Sequence, residues 1–208
     1  MKIEVLDAHE SNKFIDKFAS TPESQLVKRS SDITIKAPLV LKIVSEEVIH
    51  KTEIGGVRIV QHNSEITESF NDLITTAKKH KISIKGILAQ EFVQGQQIII
   101  GLKKDETFGH IIAVGIGGIF TELFKDVSIR KCPIDVKEAQ RMLNDLKAHK
   151  IFEGFRNINV NVGILKEALV NISKISQKHH NIKEMDINPF ILNEKEGKAV
   201  DVRIVLEK

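Results

Sequence analysis

From Pro38 onwards, apolar residues recur along the chain with two different spacings. Short apolar runs bounded by glycine, proline or polar residues are typical of strands. Such runs are PLVLKIV (38–44), GGVRIVQ (55–61), KGILAQEFV (85–93), QQIIIGLKK (96–104), GHIIAVGIGGI (109–119), MDINPFILN (185–193) and KAVDVRIVL (198–206). The segment EKEG between the last two runs predicts a turn that joins them as a hairpin.

Three longer segments repeat their apolar residues every three to four positions, which is the spacing of one face of a helix. The first could begin at a cap on Ser64 and continue to about His80. The second follows a possible capping box formed by Asp135 and Glu138, and the third covers residues 162–175. Because strands and helices are mixed without strict alternation, the pattern favours an α+β fold over a doubly wound sheet.

The first 37 residues show neither spacing clearly. They are polar, and Pro22 and the run KRSSD (28–32) are typical of connecting segments. The sequence therefore predicts an N-terminal arm over residues 1–37, with the organised part of the chain beginning at Pro38.

Composition narrows the class of protein. A hydrophobic content of 41% and a charged content of 28% in 208 residues are ordinary for a globular protein. The net charge of +3 is spread along the chain without a basic block, so no nucleic-acid partner is indicated. No apolar run approaches the roughly 18 residues of a membrane span, and the N-terminus is too polar for a signal peptide, so we expect a cytoplasmic protein with no membrane partner.

Cys132 is the chain's one cysteine, which excludes an intramolecular disulfide. It lies beside Pro133, and no neighbouring residue suggests a base that would activate it. We expect a small buried hydrophobic residue rather than a nucleophile.

Lys42 and His50 are candidates for chemistry. Lys42 interrupts an apolar strand, where a lysine is costly to bury unless it is paired or binds an anionic ligand. The alternative is a lysine at a sheet edge whose stem packs while its ammonium reaches water. His50 could accept and pass on a phosphoryl group, although a lone histidine is usually an ordinary polar residue. Neither HxH nor HExxH spacing surrounds it, so zinc has little support.

Two glycine-rich runs, Gly55-Gly56 and residues 115–118, lie next to predicted strands. Glycine permits close approach of the backbone, so that successive N–H groups can bind phosphate oxygens. Neither run fits the Walker or dinucleotide fingerprints, and glycine pairs often mark simple turns.

Acidic and amide side chains lie on the last two predicted strands. Asp186 and Asn188 share one face because successive side chains of a strand alternate, and a regular hairpin would bring Asp201 opposite them. Two carboxylates and an amide oxygen suit Mg²⁺ that also binds nucleotide phosphates. The other interpretation is a solvated outer face of the hairpin.

Several of these segments occur together in one known family. The segments PLVLKIVSEEVIHKTEIGGV, LAQEFVQGQQIIIGLKKDETFG, GIGGIFTELFKDVSIR and DINPFILN…AVDVRIVL, in this order and spacing, resemble the ATP-grasp (β) subunit of the ADP-forming acetyl-CoA synthetases, which are relatives of succinyl-CoA synthetase. The resemblance covers about Pro38 to Leu206. It implies an ATP-grasp fold in which two α+β lobes, residues 38–93 and 94–208, clasp a nucleotide.

The resemblance also implies roles for particular residues. Lys42 would hold the nucleotide phosphates, and His50 would relay phosphate on a mobile loop whose glycines, Gly55 and Gly56, allow close approach to the nucleotide. The segment that joins the two lobes would contact adenine, and it consists of Glu91, Phe92 and Val93. The residues that would bind Mg²⁺ are Asp186, Asn188 and Asp201.

The implied activity is that of an acid–CoA ligase (ADP-forming), acyl-CoA + ADP + phosphate ⇌ acid + CoA + ATP. This chain would bind ADP or ATP with Mg²⁺, and an α subunit with CoA-binding and ligase domains would be required, in a heterotetramer. Two departures from the family pattern are Gln97, where glutamate is usual, and a region before Pro38 that looks too short for the family's N-terminal helix. They leave two alternatives: a degenerate ATP-grasp module that binds without transfer, and a split fragment of a single-chain acyl-CoA synthetase or protein acetyltransferase.

Overall fold

The structure is a computed structural model that describes residues 3–45, 54–117, 126–154 and 159–207. Its strands are β1 (Ile3–Val5), β2 (Ser24–Val27), β3 (Leu39–Val44), β4 (Val57–Val60), β5 (Gly86–Glu91), β6 (Gln96–Asp105), β7 (Gly109–Ile116), β8 (Val127–Lys131), β9 (Ile182–Leu192), β10 (Gly197–Ala199) and β11 (Val202–Glu207). Its α-helices are α1 (Ala8–Ile15), α2 (Ile66–Lys79), α3 (Val136–Asp145) and α4 (Val162–Ser173). The predicted α+β class is confirmed.

The chain divides into two compact units. The small unit contains residues 7–9 and 22–93, and the large unit contains residues 1–6, 10–21 and 94–208. The assignment of these units as lobes that clasp a nucleotide stays a prediction.

The small unit is a four-stranded antiparallel sheet, in the order β2-β5-β3-β4, packed on α2. Leu39, Leu41 and Ile43 alternate along β3 and are fully buried in the core that also contains Phe70 and Leu73 of α2. Strand alternation therefore turns the face that carries Lys42 away from this helix.

The beginning of α2 differs from the predicted cap on Ser64. A short 3₁₀ turn, Asn63–Glu65, precedes the helix, and His62 and Glu65 form a reciprocal capping box. A carboxylate oxygen of Glu65 accepts a hydrogen bond from the N–H of His62 at 3.3 Å. The prediction was wrong because the extra turn moves the capping position two residues towards the N-terminus.

The large unit is a seven-stranded antiparallel sheet in the order β1-β11-β9-β6-β7-β8, with β10 paired to β9. The apolar residues of α3 and α4 pack in one core with the inner faces of the strands, as Met142, Leu169, Leu102 and Phe190 illustrate. The side chain of Asp135 accepts a hydrogen bond from the N–H of Glu138 at 2.7 Å, so the predicted cap of α3 is confirmed.

Residues 3–6 and 10–21 belong to this unit, and several of them contribute to its core, which corrects the expectation of an arm over residues 1–37. Strand β1 pairs with β11, and Ile15 of α1 is fully buried. The Phe14 ring lies 4.9 Å from the ring of His179. The helix was missed because its buried face includes the polar residues Ser11 and Asn12 as well as Ile15, which obscures the apolar spacing.

Candidate functional site

Lys42 lies on an inner strand of the small sheet and is only 6% exposed. Strand β3 lies between β5 and β4, and Lys42 is opposite Leu88 on one side and Val57 on the other. The alternative of a lysine at a sheet edge is therefore excluded for Lys42. A buried ammonium requires a partner or an anionic ligand, so the position keeps its phosphate-binding potential.

The segment Glu91–Val93 ends the small unit, and its first two N–H groups are occupied. The N–H of Glu91 donates to the carbonyl of Glu23 at 2.9 Å, and that of Phe92 donates to the carbonyl of Pro38 at 3.3 Å. The Glu91 carboxylate also accepts a hydrogen bond from the N–H of Glu23 at 3.3 Å. The N–H of Val93 makes no hydrogen bond to any residue that the structure describes, so it is the donor of this segment that a base can use.

Gly55 and Gly56 form the turn that enters β4. Gly55 has φ +69°, in the left-handed region that favours glycine. Its carbonyl accepts a hydrogen bond from Nη1 of Arg58 at 2.7 Å, and the carbonyl of Gly56 accepts one from the N–H of Ile43 at 3.0 Å. The turn is thus tied to β3, while His50 and Lys51, which precede it in the chain, lie outside the described residues.

The second glycine run lies against Gln97. The N–H of Gly117 donates to the carbonyl of Gln97 at 2.7 Å, and a Cβ added to Gly117 would lie 2.9 Å from the Cβ of Gln97. Close backbone packing therefore explains Gly117 without a phosphate, and Gly118 lies outside the described residues.

The predicted hairpin brings the acidic set together. Asp186 is opposite Arg203 of β11, and the N–H of Asn188 donates to the carbonyl of Asp201 at 2.9 Å. Asp186 and Asn188 share the face opposite the buried residues Met185 and Ile187. Asp201 therefore lies opposite Asn188 as predicted, whereas Asp186 lies opposite Arg203 and not Asp201.

A β-bulge in the pairing of β6 with β9 lies at Asn188. The pairing of β6 with β9 shifts between Ile98 and Ile100, so that Asn188 and Pro189 face the single residue Ile99. Such bulges redirect side chains and are common beside functional sites.

The electrostatics of Asp186 reflect its neighbours. Burial raises the pKa of Asp186 above its usual value, and the negative charges of Glu184 and Asp201 raise it further, while Arg203 opposes them. Arg203 also pairs with Glu184, with 3.1 Å between Nη1 and Oε1. Within the described ranges no three His, Cys, Asp or Glu side chains form a metal-binding cluster, so the candidate set is two carboxylates and the amide oxygen of Asn188. These oxygen donors fit Mg²⁺, which takes few protein ligands and keeps waters.

Sequence reasoning missed Glu184, Arg203 and Asn193. Glu184 and Arg203 each lie two residues from a chosen acidic residue, so strand alternation could have identified them. Asn193 donates from its side chain to the carbonyl of Gln94 at 2.8 Å, a contact that joins residues far apart in the chain and gives no local signal.

Cys132 is half-buried, whereas the sequence predicted a buried residue. It packs against the core of the large unit, and burial raises the pKa of its thiol to about 12. Because the thiolate is the nucleophile, a thiol with this pKa is inert near neutral pH.

Comparison with known proteins decides the family. The family model described as an ATP-grasp domain matches residues 2–206. This chain belongs to the ATP-grasp family. The match begins well before Pro38, and helix α1 precedes β3, so the region that looked too short is part of the family fold.

Two curated relatives are ADP-forming acetate–CoA ligases. The β subunit of acetate–CoA ligase I from Pyrococcus furiosus is 35% identical over 189 residues, which cover 88% of this chain and 81% of that subunit. Acetate–CoA ligase I from Archaeoglobus fulgidus is 36% identical over 177 residues, or 83% of this chain and 26% of that protein. The chain therefore spans about a quarter of the length of such single-chain ligases and most of the length of a separate β subunit.

Solved structures agree with this family assignment. The dinucleotide forming acetyl-coenzyme A synthetase 1 of Candidatus Korarchaeum cryptofilum, in complex with coenzyme A, Ca-AMPCP and HgCl⁺, aligns with a TM-score of 0.93 at 36% identity, covering 98% of this chain and 94% of that one. Another structure of that synthetase, with Mg-AMPPCP and its phosphohistidine segment pointing towards the nucleotide-binding site, has a TM-score of 0.84 at 35% identity, covering 96% of this chain and 92% of that one. The predicted ATP-grasp fold is confirmed.

The helices were also considered as possible membrane spans. Among the helices of the described residues, none combines the length and the apolar character that a bilayer crossing requires.

Proposed function

We propose that this chain is the nucleotide-binding subunit of an ADP-forming acyl-CoA synthetase, in which it transfers phosphate from a phosphohistidine to ADP. The complete reaction is acyl-CoA + ADP + phosphate ⇌ acid + CoA + ATP. The observation that carries the proposal is similarity to a β subunit of this enzyme class over 81% of that subunit's length.

The nucleotide contacts proposed for the small unit are made by Lys42 and the linker Glu91–Val93. Lys42, which is buried on an inner strand, contacts the phosphates. The linker Glu91–Val93 meets the base, and the N–H of Val93 is the donor that its hydrogen-bonding pattern leaves for adenine. Gly55 and Gly56 give the segment before β4 its turn, and they follow the proposed phosphate-carrying residue, His50, in the chain.

The metal set is Asp186, Asn188 and Asp201. The pairing of Asn188 with Asp201 and the electrostatic effect of Asp201 on Asp186 support their action as one group. When bound, Mg²⁺ offsets negative charge on the phosphates during transfer. Arg203 limits the mutual repulsion of the carboxylates that surround it.

His50 carries the phosphoryl group. Its imidazole nitrogen first accepts phosphate from a histidine of the partner, and an oxygen of the ADP β-phosphate then attacks the phosphorus while the P–N bond breaks. ATP leaves, and the imidazole of His50 returns to its neutral form. Lys51 and Arg58 offset the phosphate charge at this step.

The remaining chemistry belongs to a partner. We infer an α subunit that carries the CoA-binding and ligase domains, assembled with this chain in a heterotetramer in the cytoplasm. The acyl group is then selected by the partner, and neither nucleic acid nor a membrane takes part.

The alternative is a fragment of a split single-chain synthetase, which the quarter-length match to the Archaeoglobus protein favours. The chemistry of this chain is the same in both cases. The alternatives differ only in whether the missing part is encoded as an independent subunit, and a neighbouring gene for a CoA-binding chain would favour the subunit.

Reconstitution tests the function. The chain is mixed with its partner, acyl-CoA, phosphate and Mg-ADP, and ATP is measured by coupled assay. We expect ATP only when both chains are present. Binding of Mg-ADP without any ATP would instead favour a degenerate binding module.

Asp201→Asn tests the metal set. Loss of a carboxylate is expected to raise the Mg²⁺ concentration required for half-maximal ATP formation by at least about tenfold, because proteins bind Mg²⁺ mainly through carboxylate oxygens. A magnesium titration of the reconstituted enzyme measures the shift. Glu194→Gln, an equal loss of charge at an exposed position of the same hairpin, is the control and should leave the titration unchanged. Equal curves for the two variants would contradict the metal assignment.

A further inference from the structure

Asn193 directly follows β9, the strand that carries the candidate metal ligands Asp186 and Asn188, and its side chain makes two kinds of contact. The side-chain oxygen accepts hydrogen bonds from the N–H groups of Lys195 at 2.9 Å and Glu196 at 3.0 Å. The side-chain amide nitrogen donates to the carbonyl of Gln94 at 2.8 Å. One amide thus holds both the turn after β9 and the residue that follows Val93 by one position.

The chemistry of the side chain separates these two contacts. The turn needs only an acceptor, and aspartate serves such turns as well as asparagine does. The main chain supports it as well, because the N–H of Asn193 donates to the carbonyl of Glu196 at 2.9 Å. The contact with Gln94 alone requires the NH₂ group that distinguishes asparagine from aspartate.

Gly95 reinforces the same attachment. A Cβ added to Gly95 would lie 2.4 Å from the carbonyl oxygen of Leu192, so only glycine lets the backbone approach the end of β9 so closely. Gln94 and Gly95 therefore lie close against Asn193 and Leu192, at the C-terminal end of β9.

The linker is also fixed on its other side. The N–H groups of Glu91 and Phe92 bond to carbonyls within the small unit, those of Glu23 and Pro38. Val93 remains between the two sets of attachments, and its N–H is the one without a bond to a described residue. Within the large unit, the contact of Gln94 with Asn193 therefore restricts the residue that directly follows Val93.

We propose that Asn193 is a positioning residue for the nucleotide base, acting through the carbonyl of Gln94 on the linker segment. The inference rests on the proposed nucleotide-binding function and adds a residue outside the phosphate, metal and base contacts. Asn193 does not touch the nucleotide. It limits the motion of the linker, so that the donor of Val93 is already directed before the base arrives and less ordering accompanies binding.

The test is Asn193→Asp, which keeps the acceptor for the turn, removes the donor and places negative charge beside the carbonyl of Gln94. Asn161→Asp is the matched control. Asn161 caps α4 only as an acceptor, from the N–H of Ile164, and its backbone N–H bonds to the carbonyl of Asn193. The Asn161→Asp substitution therefore makes the same chemical change near Asn193, and among the described residues Asn161 has no hydrogen bond to Glu91–Gln94.

Affinities of the chain for Mg-ADP and for Mg-tripolyphosphate, which has no base, are measured by calorimetry. We expect Asn193→Asp to weaken Mg-ADP binding about 5- to 30-fold, the effect of one lost hydrogen bond plus repulsion. Mg-tripolyphosphate affinity should stay within about twofold of wild type, and Asn161→Asp should change neither affinity.

An equal loss for both ligands, or no loss for Mg-ADP, would overturn the inference. If Asn193→Asp does not fold by circular dichroism, Asn193→Ser, which keeps a short acceptor, is measured against the same criteria. Wild type that binds tripolyphosphate but not Mg-ADP would overturn the proposed function itself, and with it this inference.

Discussion

His50→Ala is expected to reduce ATP formation by the reconstituted enzyme by at least about a thousandfold, because the phosphoryl group then has no nitrogen to occupy on its way to ADP. Mg-ADP binding should be retained, since the nucleotide contacts are assigned to other residues. The reaction is followed with labelled phosphate, and the chain is assayed for acid-labile, base-stable label, which is characteristic of phosphohistidine.

His80→Ala is the control for this prediction. His80 is exposed at the C-terminal end of α2, so its loss should change neither the rate nor the labelling. Equal ATP formation by wild type and His50→Ala would contradict the relay. Label that persists on the His50→Ala chain would assign the phosphate to another histidine.

The parts of the structure that follow from local spacing could be predicted from the sequence. Alternation along β9 placed Asp186 and Asn188 on one face, and the hairpin placed Asp201 opposite Asn188, because a strand has a fixed period of two and a hairpin fixes its register. The apolar residues around Lys42 left two interpretations open, a buried lysine and a lysine at a sheet edge, and only the strand order decides for the inner position.

The parts that depend on distant contacts could not be predicted. Helix α1 buries Ser11 and Asn12 along with Ile15, so its apolar pattern is too weak to identify without its partners in the large unit. Asn193 and Gln94 are 99 positions apart, and nothing in either local sequence indicates their hydrogen bond. The periodicity of a sequence indicates which face of a helix or strand is buried. A hydrogen bond between residues far apart in the chain depends instead on the tertiary arrangement of the elements that carry them.

The phosphate role of Lys42 is tested by Lys42→Met, which removes the charge while the unbranched side chain still fills the buried position. We expect the Kd for Mg-ADP to rise by about 10- to 150-fold, since a charge-assisted contact contributes on the order of 1.5–3 kcal/mol. The melting temperature should change by only a few degrees because the stem's packing is kept. Calorimetry measures the first quantity and thermal unfolding the second.

Lys79→Met, in the exposed last turn of α2, makes the same exchange in the same unit and separates a local effect from a general loss of positive charge. Only Lys42→Met should weaken Mg-ADP binding. A lowered melting temperature with unchanged Kd would mean that the buried ammonium serves the small sheet alone. A weakened affinity at an unchanged melting temperature would mean that the positive charge of Lys42 serves nucleotide binding and is not needed for folding. If Lys42 served packing alone, its substitution would lower the melting temperature before it changed the Kd.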